Sequence, residues 1–298
     1  MRKIKVNMRI LVTGLSGFTG CHLQPELEAH GHIVKGLIAN LTNPVALATE
    51  IAQHKPEAVV HLAGISYVGH GNARELYEVN LIGTRNLLEA LDQHAPDVRS
   101  ILLASSANIY GNHTEDALSE ETRPCPTNDY AVSKLAMEQM AQLWVERLPL
   151  FIVRPFNYTG VGQKEQFLIP KIISHFWKNK PIIELGSLDV WREFGDVRAV
   201  VDIYRRLLEH CPVGDTLNVC TGQTHSLREV IALCEKITGH SIEIQVNPEF
   251  VRTNEVRVLR GSSNRLNQEI GEWKSFRLEE TLTWMLSNLS LGAASTLL

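Results

Sequence analysis

The sequence predicts an α/β protein, a doubly wound parallel sheet with helices on both faces, joined to a smaller mixed α/β lobe. Three observations predict it. Short, continuously apolar runs alternate with helix-period segments through the first half of the chain, the pattern of strands covered on both sides. The first such run ends in a turn with glycine at positions 14, 17 and 20, and a helix-compatible segment follows at once. After about Arg154 the alternation loosens, because Pro155, Gly160, Gly162, Pro170, Pro181 and Gly186 break the chain into shorter pieces.

Taken in order, strands are expected at 9–13, 33–38, 58–62, 100–104 and 151–153, with helices near 20–30, 44–54, 74–94 and 130–146 between them. Strand–helix alternation of this kind implies right-handed crossovers, with ligand held beyond the carboxyl ends of the strands. Residues 1–155 are therefore read as a Rossmann-type dinucleotide-binding domain. The chain is expected to return to it near 196–222, with a strand at 216–219. Residues 156–195 and 223–290 form the substrate lobe, with helices at 226–238 and 278–288, and 291–298 a loose tail. The segment with Val79, Leu81, Ile82, Leu87, Leu88 and Leu91 is apolar on more than one face, which suits a core helix or one that also meets a partner subunit.

Composition excludes several classes. A net charge of −4 leaves no electrostatic footprint for nucleic acid or an anionic membrane. Cys21, Cys125, Cys211, Cys220 and Cys234 are an odd set without C-x-x-C spacing, which reads as reduced thiols of a cytoplasmic protein. No apolar run approaches the roughly 20 residues of a membrane span. Histidines such as His61, His70 and His113 lack metal-ligand spacing and are read as structural or surface residues, with no metal expected.

The glycine turn fits a phosphate-bearing ligand. Gly14 permits the tight turn, Gly17 lets the backbone approach a pyrophosphate, and Gly20 lets the helix pack close to the strand. The helix N-terminus then offers unpaired N–H groups to the anion. Far downstream, Tyr130 and Lys134 stand at i and i+4, one face of a helix a turn apart. A phenol titrates near 10 (about) and is a poor acid–base catalyst; an ammonium beside it is expected to draw that value down. Ser106 follows the fourth expected strand and can donate to a substrate oxygen there. Each alone has a bland reading: a surface Tyr–Lys pair, or a serine capping a turn.

Together with these, His61-Leu62-Ala63-Gly64, Asn80 to Ala90, Arg154-Pro155-Phe156-Asn157 and Trp191 to Val197 make the chain resemble, over essentially its full length, an extended short-chain dehydrogenase/reductase of the nucleotide-sugar-modifying group. The pieces Gly160–Gln163, Asn218–Gln223 and Arg260–Leu266 are similar to its 4-ketoreductases. The resemblance implies an NAD(P)H-dependent enzyme, a homodimer, that reduces the C4 ketone of a nucleoside-diphosphate sugar. Tyr130 would supply the proton, Ser106 polarise the ketone, and Lys134 hold the nicotinamide ribose. It further implies cofactor contacts from Gly14, Ser16, Gly17, Phe18, Thr19, Gly20, Leu62, Ala63, Gly64, Ala104, Pro155 and Phe156, and substrate contacts from Ser106, Asn157, Arg192 and Arg252. Arg257 and Arg260 rival Arg252, since that segment aligns more than one way. The related 4,6-dehydratases carry an Asp-Glu pair after the serine or threonine. Here Ala107 and Asn108 stand there, and neither shuttles a proton, so reduction and 4-epimerisation remain. A non-catalytic NAD(P)-binding sensor is the reading from another class. At the end of the second strand neither a carboxylate nor an arginine is present. Asn40 can contact the adenosine ribose without excluding a 2′-phosphate, which leans the cofactor to NADPH.

Overall fold

The computed structural model describes residues 7–66, 71–113, 116–250 and 256–295; the expected site residue Arg252, together with His70 and 296–298 of the expected tail, lies outside them. The first half alternates β1 (Arg9–Thr13), α1 (Phe18–Ala29), β2 (Ile33–Leu37), α2 (Pro44–His54) and β3 (Ala58–His61). A composite helix follows: α3 (Ala73–Tyr77), a π-helical segment (Glu78–Gly83) and α4 (Thr84–His94). Next come β4 (Ser100–Ala104), a 3-10 turn (Ala107–Tyr110), α5 (Asp129–Gln142) and β5 (Leu150–Pro155). The second half holds β6 (Tyr158–Thr159), α6 (Leu168–Trp177), β7 (Ile182–Leu185), β8 (Trp191–Glu193), β9 (Gly195–Asp196), α7 (Val197–His210) and β10 (Thr216–Val219). It closes with β11 (Thr224–Ser226), α8 (Leu227–Thr238), β12 (Glu243–Val246), β13 (Val258–Leu259), α9 (Asn264–Ile270) and α10 (Leu278–Ser295).

The six-stranded sheet has the order β10-β5-β4-β3-β1-β2, and its neighbours pair in parallel. The chain steps from β1 outward to β2, then back across to β3, so the winding reverses between β1 and β3. That reversal opens the crevice in which ligands of such sheets bind. Leu23 and Leu27 of α1 and Val197 to Leu208 of α7 cover one face. Leu47 and Ile51 of α2, Leu87, Leu88 and Leu91 of α4, and Met137 and Ala141 of α5 cover the other. β2 departs from the continuously apolar pattern. As an edge strand it alternates, with Ile33 and Lys35 exposed and Val34 buried.

The remaining segments build smaller sheets, β11-β8-β13, β12-β7 and β6-β9, over a core in which Ile172, Ile173 and Phe176 of α6 meet Val230 and Ile231 of α8 and Leu282 of α10. α9 packs against α7 and β10, where Leu266 joins the core of the large sheet. α10 runs on to Ser295, past residue 288 where the sequence pattern ends it. The segment 74–94, expected as one helix, is instead interrupted by the π-turn. There Asn80 is buried with its whole amide in use, so backbone regularity yields to side-chain pairing. Among the described residues no helix is long and apolar enough to cross a membrane, and no group of three or more His, Cys, Asp or Glu is placed to hold a metal ion.

Beneath the strand ends lies a buried ion pair. Arg154 of β5 donates to Glu138 of α5 through Nη2 (2.7 Å) and Nε (3.0 Å), and through Nη1 to the Tyr110 hydroxyl (2.9 Å), which itself donates to Asn218 of β10 (2.7 Å). One cluster thus ties α5, β5, β10 and the 3-10 turn together. Arg154→Met leaves an unpaired buried carboxylate and is expected to lose about 3–5 kcal/mol of unfolding free energy in urea titration. Arg154→Met with Glu138→Leu should recover most of that loss; a double variant as unstable as the single one would contradict this account.

Candidate active site

The carboxyl ends of β1, β3, β4 and β5 converge at the crevice. At β1, Gly14 adopts a φ of 73°, in the left-handed region where a side chain is strained. A Cβ on Gly20 would lie 2.3 Å from the Leu15 carbonyl oxygen and 2.5 Å from that of Gly14, so helix and turn meet at a distance only glycine allows. α1 starts at Gly17 without a side-chain cap, whereas Asn43, Asn128, Asp196 and Ser226 cap α2, α5, α7 and α8. Its first N–H groups therefore stay open to an anion, as a dinucleotide pyrophosphate requires. The residues present fit such a cofactor. Ser16 and Gly17 are exposed on the turn, with Phe18 and Thr19 half-buried behind them. Phe18 stacks on Tyr158, and the Thr19 and Tyr158 hydroxyls are 2.7 Å apart. Leu62, Ala63 and Gly64 follow β3, Ala104 ends β4, Pro155 ends β5, and Phe156 is buried beyond it. Asn40 is exposed, its Oδ1 accepting from the amide and hydroxyl of Thr42, both at 3.0 Å.

α5 is set by its N-cap, Asn128, whose side chain accepts from the Ala131 amide (2.9 Å), with Asp129 favourable in the first turn. Its buried face carries Tyr130, Ser133, Lys134, Met137 and Ala141. Lys134 Nζ donates to the Ala104 carbonyl at 2.8 Å and would sit 3.4 Å from a Cβ on Gly64. Tyr130 and Lys134 share the buried face of α5, and Ser106, just past the end of β4, lies close enough to act on the Tyr130 hydroxyl.

The electrostatics overturn one expectation. Tyr130 is not drawn down; burial pushes its pKa up to about 12, opposed by the Ser106 hydrogen bond and reinforced by nearby Tyr158. Burial also lowers Lys134 to about 8, with Glu138 working against the shift. The ammonium is turned onto the Ala104 carbonyl, and loss of water outweighs whatever its charge offers the phenol. Tyr130 is accordingly a phenol that keeps its proton, suited to giving one up to a stronger base.

Residues that sequence reading left unassigned hold this arrangement. Asn80 accepts from the Ile65 amide (2.9 Å) and donates to the Ile65 carbonyl (3.2 Å) and to Ser133 Oγ (3.0 Å), while Ser133 Oγ donates to the Tyr130 carbonyl (2.8 Å). Thr84 Oγ1 donates to the Asn80 carbonyl and so accepts from His61 Nε2 (2.9 Å). His61 Nδ1 then accepts from Thr13 Oγ1 (2.7 Å), which accepts from the Ala63 amide (3.0 Å). These bonds need a neutral imidazole. Burial, aided by the Lys134 charge, lowers the His61 pKa to about 3.

On the other side, Glu193 is buried with its carboxylate accepting from the amides of Gly261 (2.6 Å), Thr221 (2.5 Å) and Gly222 (3.1 Å) and from the Thr221 hydroxyl (2.9 Å). It clips β8, which carries Arg192, to two loops. Arg192 Nη1 donates to the carbonyls of Trp191 and Arg257, and Arg260 donates to the Gly222 carbonyl and Asp116. Arg192 thus reaches the backbone at Arg257, while Arg260 turns toward the Gly222 loop and Asp116. Asn157 lines a cavity with Phe156, Tyr158, Glu193 and Thr221. His113 is half-buried at the Arg123 carbonyl.

The family model for the NAD dependent epimerase/dehydratase family matches residues 10–220. GDP-6-deoxy-D-mannose reductase of Pseudomonas aeruginosa is 38% identical, over 95% of this chain and 97% of its own. GDP-6-deoxy-D-talose 4-dehydrogenase of Aggregatibacter actinomycetemcomitans is 37% identical, over 89% of this chain and 92% of its own. Among solved structures, RMD from Pseudomonas aeruginosa complexed with NADPH superposes with a TM-score of 0.86 at 36% identity, covering 96% of this chain and 98% of that one.

The neutral His61 makes a linkage prediction. The unfolded chain binds a proton at this residue below about 6.5, whereas the folded one resists until about 3. Stability should therefore fall as pH drops through that window, by about 1.4 kcal/mol per pH unit from this group. His61→Asn should remove that share of the slope in urea titrations between pH 4 and 7; an unchanged slope would refute the assignment.

Proposed function

The chain belongs to the NAD dependent epimerase/dehydratase family, and from that premise we propose that it catalyses NAD(P)H-dependent reduction of the C4 ketone of a nucleoside-diphosphate-4-keto-6-deoxyhexose. One observation carries the reading: buried Tyr130 and Lys134 share one face of α5, with buried Ser106 close beside the Tyr130 hydroxyl at the end of β4. Hydride is what NAD(P)H supplies when bound over Gly14 to Gly20. The chain's own part is proton delivery and orientation. Ser106 donates to the ketone oxygen and stabilises developing charge. A single donor of this kind is worth about 2.7–4 kcal/mol of barrier. Tyr130 then gives its proton to the alkoxide, a base strong enough to take it from a phenol held near 12. Lys134 holds the nicotinamide ribose.

Guanosine diphosphate is the nucleotide we favour. The two relatives are named for GDP-linked 6-deoxymannose and 6-deoxytalose, and these sugars differ only in configuration at C4. A single GDP-linked 4-ketone stands behind both. In this reading, residues 156–195 and 223–290 form the substrate lobe, Arg192 and Asn157 bind the diphosphate, and Arg257 and Arg260 stand beside them. The chain acts as a homodimer through the π-helical segment with α4 and through α5, where Ile82 of the π-helical segment and Val132 of α5 are exposed apolar residues.

Tyr130→Phe should retain cofactor binding, measured by nucleotide fluorescence, while turnover of GDP-4-keto-6-deoxy-D-mannose falls about 10²–10⁴-fold. Turnover within threefold (about) of wild type would sink the assignment. Wild-type turnover should consume reduced cofactor stoichiometrically at 340 nm (about), which a 4-epimerase would not do. The pH profile should follow Lys134. Its charge is lost above about 8, whereas Tyr130 stays protonated to about 12, so kcat/KM should decline on the alkaline side of 8. A profile flat to pH 10 (about) would exclude the ammonium from the rate.

A further inference from the structure

Ser106 Oγ has two lone pairs and one proton to place. The backbone amide of Asn108 donates to it at 3.2 Å, and the Asn108 side-chain Nδ2 donates to it at 3.0 Å. Both acceptor positions are thereby filled from one residue, and the hydroxyl proton has nowhere to go but outward. In the free protein it meets Tyr130, whose phenolate form that bond favours. With the amide turned over, Oδ1 would face Ser106 and consume the proton, leaving Tyr130 and a substrate ketone without the Ser106 donor. We propose that Asn108 is a positioning residue that fixes Ser106 as an obligate hydrogen-bond donor, and so sets the direction in which charge is stabilised at the ketone. This rests on the ketoreductase reading and deepens it. Asn108 is half-buried beside the serine, and its amide cannot ionise.

The test is a pair of substitutions in the full-length enzyme, assayed with NADPH and GDP-4-keto-6-deoxy-D-mannose, with thermal unfolding and NADPH fluorescence as folding controls. In Asn108→Asp the ionised carboxylate accepts the Ser106 proton. We expect kcat at pH 8 (about) to fall tenfold or more, with KM changed less than threefold (about), in line with loss of one oxyanion donor. Below the pKa of the new carboxyl the protonated group donates again, so kcat relative to wild type at the same pH should climb as pH falls to about 4. Asn108→Ala frees one lone pair and should lower kcat by roughly threefold to tenfold, without recovery at low pH. In a Ser106→Ala background neither change should have further effect, because the group being oriented is gone. A pH-independent, near-wild-type kcat for Asn108→Asp, or an equal loss with and without Ser106, overturns the proposal. Should Asn108→Asp fail the folding controls, the Asn108→Ala cycle with Ser106→Ala decides alone. The wider reading fails separately, if Tyr130→Phe and Ser106→Ala both turn over normally.

Discussion

An ammonium group kept out of water is the constraint on which the site depends. Lys134 lies on the buried face of α5, and its charge is satisfied by the Ala104 carbonyl at the end of a parallel strand. Holding it there has a cost, seen in its lowered pKa, and two neighbours bear the consequences. His61 is kept neutral in part by that charge, and Tyr130 shares the same dry surroundings and holds its proton harder than a free phenol. Dryness raises the stakes for every polar group nearby, since an unsatisfied donor or acceptor has no water to fall back on. The density of side-chain hydrogen bonds around α5 follows from this.

Those bonds form a continuous run. From the Ala63 amide it passes through Thr13, His61 and Thr84 to the carbonyl of Asn80, then from the Asn80 amide through Ser133 to the carbonyl of Tyr130. One end joins the loop after β3 to the last residue of β1, which opens into the glycine turn; the other is the backbone of the tyrosine. The cofactor cradle and the acid–base helix are therefore built to one register. Opposite them, the Glu193 clip does for β8 and its flanking loops what Asn80 does for α5. In both cases a fully used, buried polar side chain replaces the hydrophobic contacts that fix positions elsewhere in the fold.

Much of this was legible in the sequence, and the division follows physical range. Gly14, Gly17 and Gly20 encode a local turn, and Tyr130 with Lys134 a local helix face; both depend on spacing within a few residues. The large sheet was readable because most of its strands are buried on both faces, and β2 was placed within one residue although its burial alternates. Asn80, Asn108 and Glu193 stayed silent for different reasons. Asn80 meets Ser133 across 53 positions and Glu193 meets Gly261 across 68, distances over which no pattern runs. Asn108 acts on a neighbour two positions away, yet its effect lies in which atom donates, and composition does not record that. The direction of the Tyr130 shift was missed because a charge is visible in sequence and burial is not.

The π-turn at Glu78–Gly83 has one further consequence. A helix there with one residue fewer would close in regular α-geometry with its flanking turns in phase, but the residues inside the widened turn would move to new positions around the axis. Asn80 would then leave Ile65 and Ser133, and Gly83 would lose its close seat against Leu41, where a Cβ would come within 2.8 Å. Surface turns of this protein can lengthen or shorten at little cost to the crevice. Between Asn72 and Thr84, by contrast, the residue count is itself part of the architecture, and a single-codon deletion there would do more harm than most substitutions.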